Sequence, residues 1–336
     1  MSYRVALNFE DGITRFIDVK EGEKVLDAAY RNKINLPMDC SDGVCGTCKC
    51  RCENGAYDLG DEYLDEALTA DEVAQGMVLT CQMVLESDCT IAVPMASGAC
   101  KIKPVQQEGS IVELAQLSPS TILLKLALEQ PVEFLAGQYV QLAIPGTAES
   151  RAYSFSTKPG AKEAGFLIRN VPGGRMSGWL SEVAKLGERM SFTGPSGSFY
   201  LRPVERPVLM LAGGTGLAPL LSMLEVLAES GTNQIVHLIY GVTRDGDLVE
   251  TDRLDDLAAR LPSFSWTSCV ADPESAHPRK GYVTEHLAGT PVEAGDCDVY
   301  LCGPPPMVEA VRQSFAARGF MPSRFLYEKF AVSVAA

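Results

Sequence analysis

The chain has 336 residues, a formal net charge of −14, 46% apolar residues and 21% charged residues. That length exceeds one ordinary core, so two or three domains are expected, and the composition excludes wholesale disorder. The negative balance argues against a nucleic-acid backbone or an anionic membrane surface as main partner.

The acid is unevenly spread, with 8 Lys and Arg against 18 Asp and Glu in the first 100 residues. Tyr3, Val5, Leu7 and Phe9 alternate with Arg4, Ala6 and Asn8, the pattern of a half-buried strand. Asp11-Gly12 signals a hairpin turn, and Ile13 to Val19 returns as a second strand. Val25, Leu26, Ala29 and Tyr30 then mark one face of a helix. Met1-Ser2-Tyr3-Arg4 reaches Glu10-Asp11 without an apolar run, so no secretory leader is expected and a cytoplasmic location is.

Eight of the 11 cysteines lie in the first 100 residues. An odd number of thiols in a reducing compartment reads as metal ligation before disulfides. Cys40, Cys45 and Cys48, followed by Cys81, have the plant-type [2Fe-2S] spacing, two thiolates for each iron. The small residues Ser41 to Val44 and Gly46-Thr47 let a loop wrap a cluster and aim backbone N–H groups at its sulfurs. A structural zinc ion, drawing on Cys50 or Cys52, is the competing reading, although zinc sites more often pair two C-x2-C knuckles. Cys50 and Cys52 fit better as packed thiols on the strand leaving the loop.

After the linker Lys101-Ile102-Lys103-Pro104-Val105, Ile122, Leu124, Leu126 and Leu128 point to one side of a strand, and Phe134 to Val140 begins another. Short strands with Gly and Pro punctuation suggest a small antiparallel barrel. In Arg151-Ala152-Tyr153-Ser154-Phe155-Ser156, strand alternation sets Arg151, Tyr153 and Phe155 on one face and Ser154 on the other. Such an Arg can hold a pyrophosphate, the Tyr can flank a flavin and the Ser can hydrogen-bond its ring. Pro172-Gly173-Gly174-Arg175-Met176-Ser177 opens a helix predicted to run to about Leu186, and a glycine turn at a helix start is an anion site.

Pro207 to Leu224 is uncharged, but Gly213, Gly214, Thr215, Gly216 and Pro219 interrupt it. It reads as strand, glycine loop and helix, not as a membrane span. Strands are predicted over Gln234 to Val242, Phe264 to Ala271 and Asp296 to Cys302, with a helical repeat of leucines from Leu248 to Leu261. This alternation is that of a parallel α/β domain. Cys302-Gly303-Pro304 ends a strand at the edge where such sheets bind ligands. After the second strand, Arg244 is followed by two loop carboxylates, Asp245 and Asp247. These would repel a 2′-phosphate, so NADH is expected over NADPH, with Asp247 as the ribose acceptor. His237, His277 and His286 fall in no motif.

Taken together, residues 1–98 resemble a plant-type ferredoxin, 99–105 form a linker, 106–204 resemble the FAD barrel of the ferredoxin–NADP reductase superfamily, and 205–336 its α/β nucleotide domain. The resemblance implies that Arg151, Tyr153 and Ser154 contact FAD, and that Gly174, Met176 and Ser177 approach its diphosphate. It further implies that Gly213, Gly214, Thr215, Gly216, Gly303 and Pro304 receive NADH. Cys302 would lie beside the nicotinamide, and Phe330 would cover the flavin. Ser154, Cys302 and Phe330 are thus the expected catalytic residues. A flavin belongs between a donor of electron pairs and a cluster that takes one electron at a time.

Local strings sharpen the resemblance: Met38-Asp39-Cys40, Arg169-Asn170-Val171-Pro172, Ser191-Phe192-Thr193-Gly194-Pro195 and Tyr300-Leu301-Cys302-Gly303-Pro304. The whole chain resembles the reductase component of two-component ring dioxygenases of the benzoate, toluate and anthranilate group. That implies a terminal oxygenase with a Rieske centre and non-haem iron as partner. Glu62, Asp65, Glu66, Asp71 and Glu72 would then be a docking face for it, or only a solubilising surface. A reductase of a soluble diiron monooxygenase would share the domain order, and a redox sensor without turnover would share the cofactors.

Overall fold

In the computed structural model, which describes residues 2–38, 40–101, 104–290 and 296–330, the first alternation becomes β1 (Ser2–Phe9), with Val5, Leu7 and Phe9 buried. β1 pairs antiparallel with β2 (Thr14–Lys20). Helix α1 (Val25–Arg31) buries Val25, Leu26, Ala28 and Ala29. The cysteine loop follows, then β3 (Lys49–Asn54) and β4 (Tyr57–Asp58). Short helix α2 (Ala70–Ala74) starts from a capping box between Thr69 and Glu72. It leads to β5 (Met77–Leu79), β6 (Val84–Leu85) and β7 (Cys89–Val93). The main sheet has the order β2-β1-β7-β3-β5, with β1 and β7 parallel, and β4 and β6 form a small ribbon. A hairpin, a helix and a returning central strand make the expected β-grasp domain.

The second compact unit comprises residues 106–193 and 199–336, the first having residues 1–105 and 194–198. Its barrel half contains β8 (Val105–Ser118), β9 (Thr121–Leu128), β10 (Tyr139–Ala143), β11 (Ser150–Ser154), β12 (Glu163–Arg169), α3 (Arg175–Glu182) and β13 (Arg189–Ser196). The six strands run β11-β10-β13-β8-β9-β12. Beyond β11, Phe155 bridges Phe166 of β12, and Ser156 N–H donates to Gly165 O at 2.8 Å, which closes the two ends. Phe155 is fully buried and stacks on Phe134 at 3.9 Å between centroids. An aromatic pair of this kind adds roughly 0.5–1.5 kcal/mol beyond its buried area. Phe134 itself precedes the strand expected to begin there, because β10 starts at Tyr139. Leu123 is as buried as its even-numbered neighbours, since it packs into the core of the following half.

That half alternates β14 (Val208–Gly213), α4 (Leu217–Ser230), β15 (Val236–Val242), α5 (Thr251–Arg260), β16 (Phe264–Val270), β17 (Asp298–Gly303), α6 (Pro305–Arg318) and β18 (Arg324–Lys329). Its sheet is parallel throughout, in the order β16-β15-β14-β17-β18. β14 is buried from Val208 to Ala212, with helices covering both faces, as its unbroken apolar run requires. β18 was not foreseen as a strand. Among the described residues, no helix is long and apolar enough to cross a membrane.

Candidate functional site

The cysteine loop resolves into two thiol pairs. Cys48 Sγ donates to Cys81 Sγ at 3.2 Å, and both are almost fully buried. Cys40 hydrogen-bonds Cys45, which is exposed. Cys45 N–H also points at Cys40 Sγ, at 3.3 Å, and Thr47 N–H at Cys45 Sγ, at 3.4 Å. A Gly43 backbone bond reaches Cys81. The hydrogen bond from Cys40 pulls the Cys45 thiol down to about 6, and the bond from Cys48 lowers Cys81. The two donors are pushed up by the same bonds. No three ligand-type side chains converge on one point among the described residues. Two pairs ringed by N–H donors fit a two-iron cluster better than one zinc ion.

Glycine makes the loop possible. Gly43 and Gly46 have φ of +83° and +74°, and a Cβ on either would lie within 2.7 and 2.9 Å of Glu62 O and Ala67 O. Cys50 is fully buried and Cys52 partly so, as packed thiols on β3. Of the acidic residues expected to dock a partner, Glu62, Asp65, Glu66 and Asp71 are exposed. Glu72 is not: it is 3% exposed, caps α2 and pairs with Lys49 Nζ at 2.8 Å. It holds the helix and has no surface to offer.

On β11, Arg151 reaches Glu149 Oε2 at 2.8 Å, and Arg175 pairs with the other oxygen of the same carboxylate. Two guanidiniums thus converge on one anionic group beside the start of α3, a helix without a side-chain cap. A diphosphate suits the same donors. α3 ends at Glu182, one turn short of expectation. A Cβ on Gly174 would meet Ser177 Oγ at 2.6 Å, while Ser177 Oγ in turn accepts from Val171 N at 3.1 Å and donates to Val171 O at 3.0 Å. Met176 is buried in the barrel core, so its backbone is the part left for a ligand. Tyr153 packs against that core, and burial raises its hydroxyl pKa.

Ser154 is 3% exposed and donates to Glu328 Oε2 at 3.1 Å. Glu328 lies on β18 opposite Cys302 of β17. Cys302 is fully buried; burial, then the Glu328 charge, raises its pKa and keeps it a thiol. Phe330 N–H donates to Gly303 O at 2.8 Å, and its ring packs on the α/β core. The six residues 331–336 beyond it lie outside the described residues. Glu328 was missed by sequence reasoning. Its one signal was its place two residues before Phe330.

The glycine loops meet. A Cβ on Gly216 would sit 2.2 Å from Cys302 O, and one on Gly213 would touch Met307 Sδ and Pro304. Gly214 has φ +55°, Thr215 is buried in the same turn, and α4 then starts uncapped. Glycine here lets two loops approach and leaves backbone N–H groups for a dinucleotide. Asp247 Oδ1 accepts from Ser120 Oγ at 2.5 Å, on the barrel. Asp245 accepts from Ser275 Oγ at 2.6 Å.

A thiol-paired cluster loop, a flavin-type barrel and a glycine-looped parallel sheet define an iron–sulfur flavoprotein reductase. Family models agree domain by domain: a 2Fe-2S iron-sulfur cluster binding domain over residues 8–86, an oxidoreductase FAD-binding domain over 108–200 and an oxidoreductase NAD-binding domain over 210–313. The chain is 55% identical to the toluate 1,2-dioxygenase electron transfer component of Pseudomonas putida, over 99% of its own length and 100% of that relative. It is 50% identical to the 2-halobenzoate 1,2-dioxygenase electron transfer component of Burkholderia cepacia, over 99% of each. A solved cytochrome P450 reductase from Amycolatopsis matches with a TM-score of 0.72 at 31% identity, over 97% of this chain and 98% of that one. The chain belongs to the family of electron transfer components of aromatic-ring 1,2-dioxygenases.

Proposed function

We propose that this chain draws electrons from NADH and delivers them singly to the Rieske centre of a separate oxygenase that dihydroxylates benzoate-like acids. The observation that carries the reading is the bond from Ser154 on the barrel to Glu328, beside Cys302 on the nucleotide sheet. It brings a flavin-side hydroxyl and a nicotinamide-side thiol to one carboxylate. Bound FAD supplies the conversion of an electron pair into single electrons.

The chain's own residues bind, orient and insulate. Cys40, Cys45, Cys48 and Cys81 hold the cluster. Arg151 and Arg175 take the flavin diphosphate at the start of α3, with the backbone of Gly174, Met176 and Ser177 close to it. Tyr153 and Phe330 bound the flavin, and Ser154 offers a hydroxyl to its ring. Gly213 to Gly216, Gly303 and Pro304 admit the dinucleotide, and the carboxylates after β15 favour NADH. Cys302, held as a neutral thiol, packs at the reacting end without adding charge. None of the eleven cysteines is in a disulfide, which suits the reducing cytoplasm.

Glu62, Asp65, Glu66 and Asp71 form the docking face toward a basic patch on the oxygenase. Anaerobic NADH should bleach both the flavin and cluster bands of the isolated protein. Mixing it with candidate oxygenases should yield ring dihydroxylation of benzoate, toluates or anthranilate, at a rate that falls with salt. Unbleached bands would overturn the reading.

A further inference from the structure

The segment that follows β11 is fastened to helices of the nucleotide half. Ser156 O accepts from Arg253 Nη2 at 2.7 Å. Thr157 O accepts from Ser222 Oγ at 2.7 Å, and Lys158 pairs with Glu229. Ser222 and Glu229 lie on α4, and Arg253 on α5. Two residues before Ser156, Ser154 makes its bond to Glu328.

Arg253 is itself held. Its guanidinium lies between Glu225 Oε1 at 3.1 Å and Glu250 Oε2 at 3.2 Å, and all three side chains are less than one-quarter exposed. Two carboxylates fix the planar fork so that Nη2, which also donates to Glu225 Oε1, turns one N–H to the Ser156 carbonyl. Glu250 reaches this place from a left-handed backbone, φ +60°, which a non-glycine residue adopts only where its surroundings dictate it.

We propose that Arg253 is a positioning residue for electron transfer out of the nicotinamide. Through the Ser156 carbonyl it sets where Ser154 stands relative to Glu328 and Cys302. Transfer between two rings falls steeply with misplacement, and each ring is held by a different half of this unit. The proposal rests on the NADH-to-flavin reading above.

The test uses the full chain with Arg253→Gln, Arg253→Lys and the milder Ser222→Ala. In the cofactor-free protein, amide exchange at residues 155–158 should quicken about fivefold in Arg253→Gln, with β9 amides unchanged. In the loaded protein, the anaerobic rate of flavin reduction by NADH should drop about tenfold, with KM for NADH kept within about twofold. Flavin and iron content should equal wild type, Arg253→Lys should recover part of the rate, and Ser222→Ala should show a smaller loss of the same kind. Wild-type exchange and rate in Arg253→Gln would overturn the proposal. So would a change in KM alone, or exchange that quickens equally in β9. If the wild type is not reduced by NADH, the functional reading fails, and the exchange measurement still decides whether the clamp exists.

Discussion

Ser154 Oγ and Glu328 Oε2 lie 3.1 Å apart, although 174 residues separate them in the chain. The pair joins the end of a barrel strand to an edge strand of the parallel sheet. Removing the hydroxyl takes a donor from a carboxylate. A hydrogen bond to a charged group is worth about 1.5–3 kcal/mol, so Ser154→Ala should slow flavin reduction by roughly 10- to 100-fold. Anaerobic stopped-flow would read the rate, and the cluster's visible spectrum should not change. An undiminished rate would remove Ser154 from the site.

Glu149 occupies both Arg151 and Arg175. It therefore competes with any diphosphate for the same donors. Glu149→Gln should tighten FAD binding by roughly two- to fivefold, the scale of a partly exposed ion pair. Fluorescence titration of the flavin-free protein gives the constant. Weaker binding would mean that Glu149 supports the loop and does not compete.

Gly216 has no room for a side chain, because its Cβ would fall 2.2 Å from Cys302 O. Gly216→Ala must push the two nucleotide loops apart. The expected cost is about 1–3 kcal/mol in stability and a roughly tenfold rise in KM for NADH. Thermal unfolding and steady-state titration check the two arms separately. Flavin content should remain normal.

His237 is 5% exposed, and Ser265 Oγ lies 2.8 Å from its Nδ1. Burial, and secondarily the Arg279 charge, lowers its pKa below 6.5. The folded state thus binds a proton less readily than the unfolded chain does. Stability from this site is intact above the unfolded pKa and falls as pH drops through it toward the folded value. His237→Gln should lose less Tm than wild type between pH 7 and pH 5. Parallel curves would show that His237 does not contribute to the acid limb.

Much of the architecture was legible because its signals are local. The Cys40-x4-Cys45-x2-Cys48 loop, the alternation in β1 and the apolar run of β14 each follow from neighbours in sequence. The site was legible only in part. Glu328 meets Ser154 through tertiary folding, and β18 carries too little periodicity to declare itself. Asp247 read as a ribose acceptor, and its bond to Ser120, brought close by the β8–β9 turn, was not visible in the sequence. Glu72 read as surface acid because a capping box and a distant lysine are invisible to a count of charges.

The two thiol pairs differ in how they meet solvent. Cys48 and Cys81 are sealed at 2% and 1% exposure, whereas Cys45 is open to water. On the proposed ligand set, the outer pair is the thin side of the insulation. Tunnelling to another molecule is fastest across the shortest gap, so a partner's speed depends on how near it can bring its own centre to Cys45. Bulk added at neighbouring Val44, itself half exposed, would act as a spacer and slow every acceptor, whatever its charge.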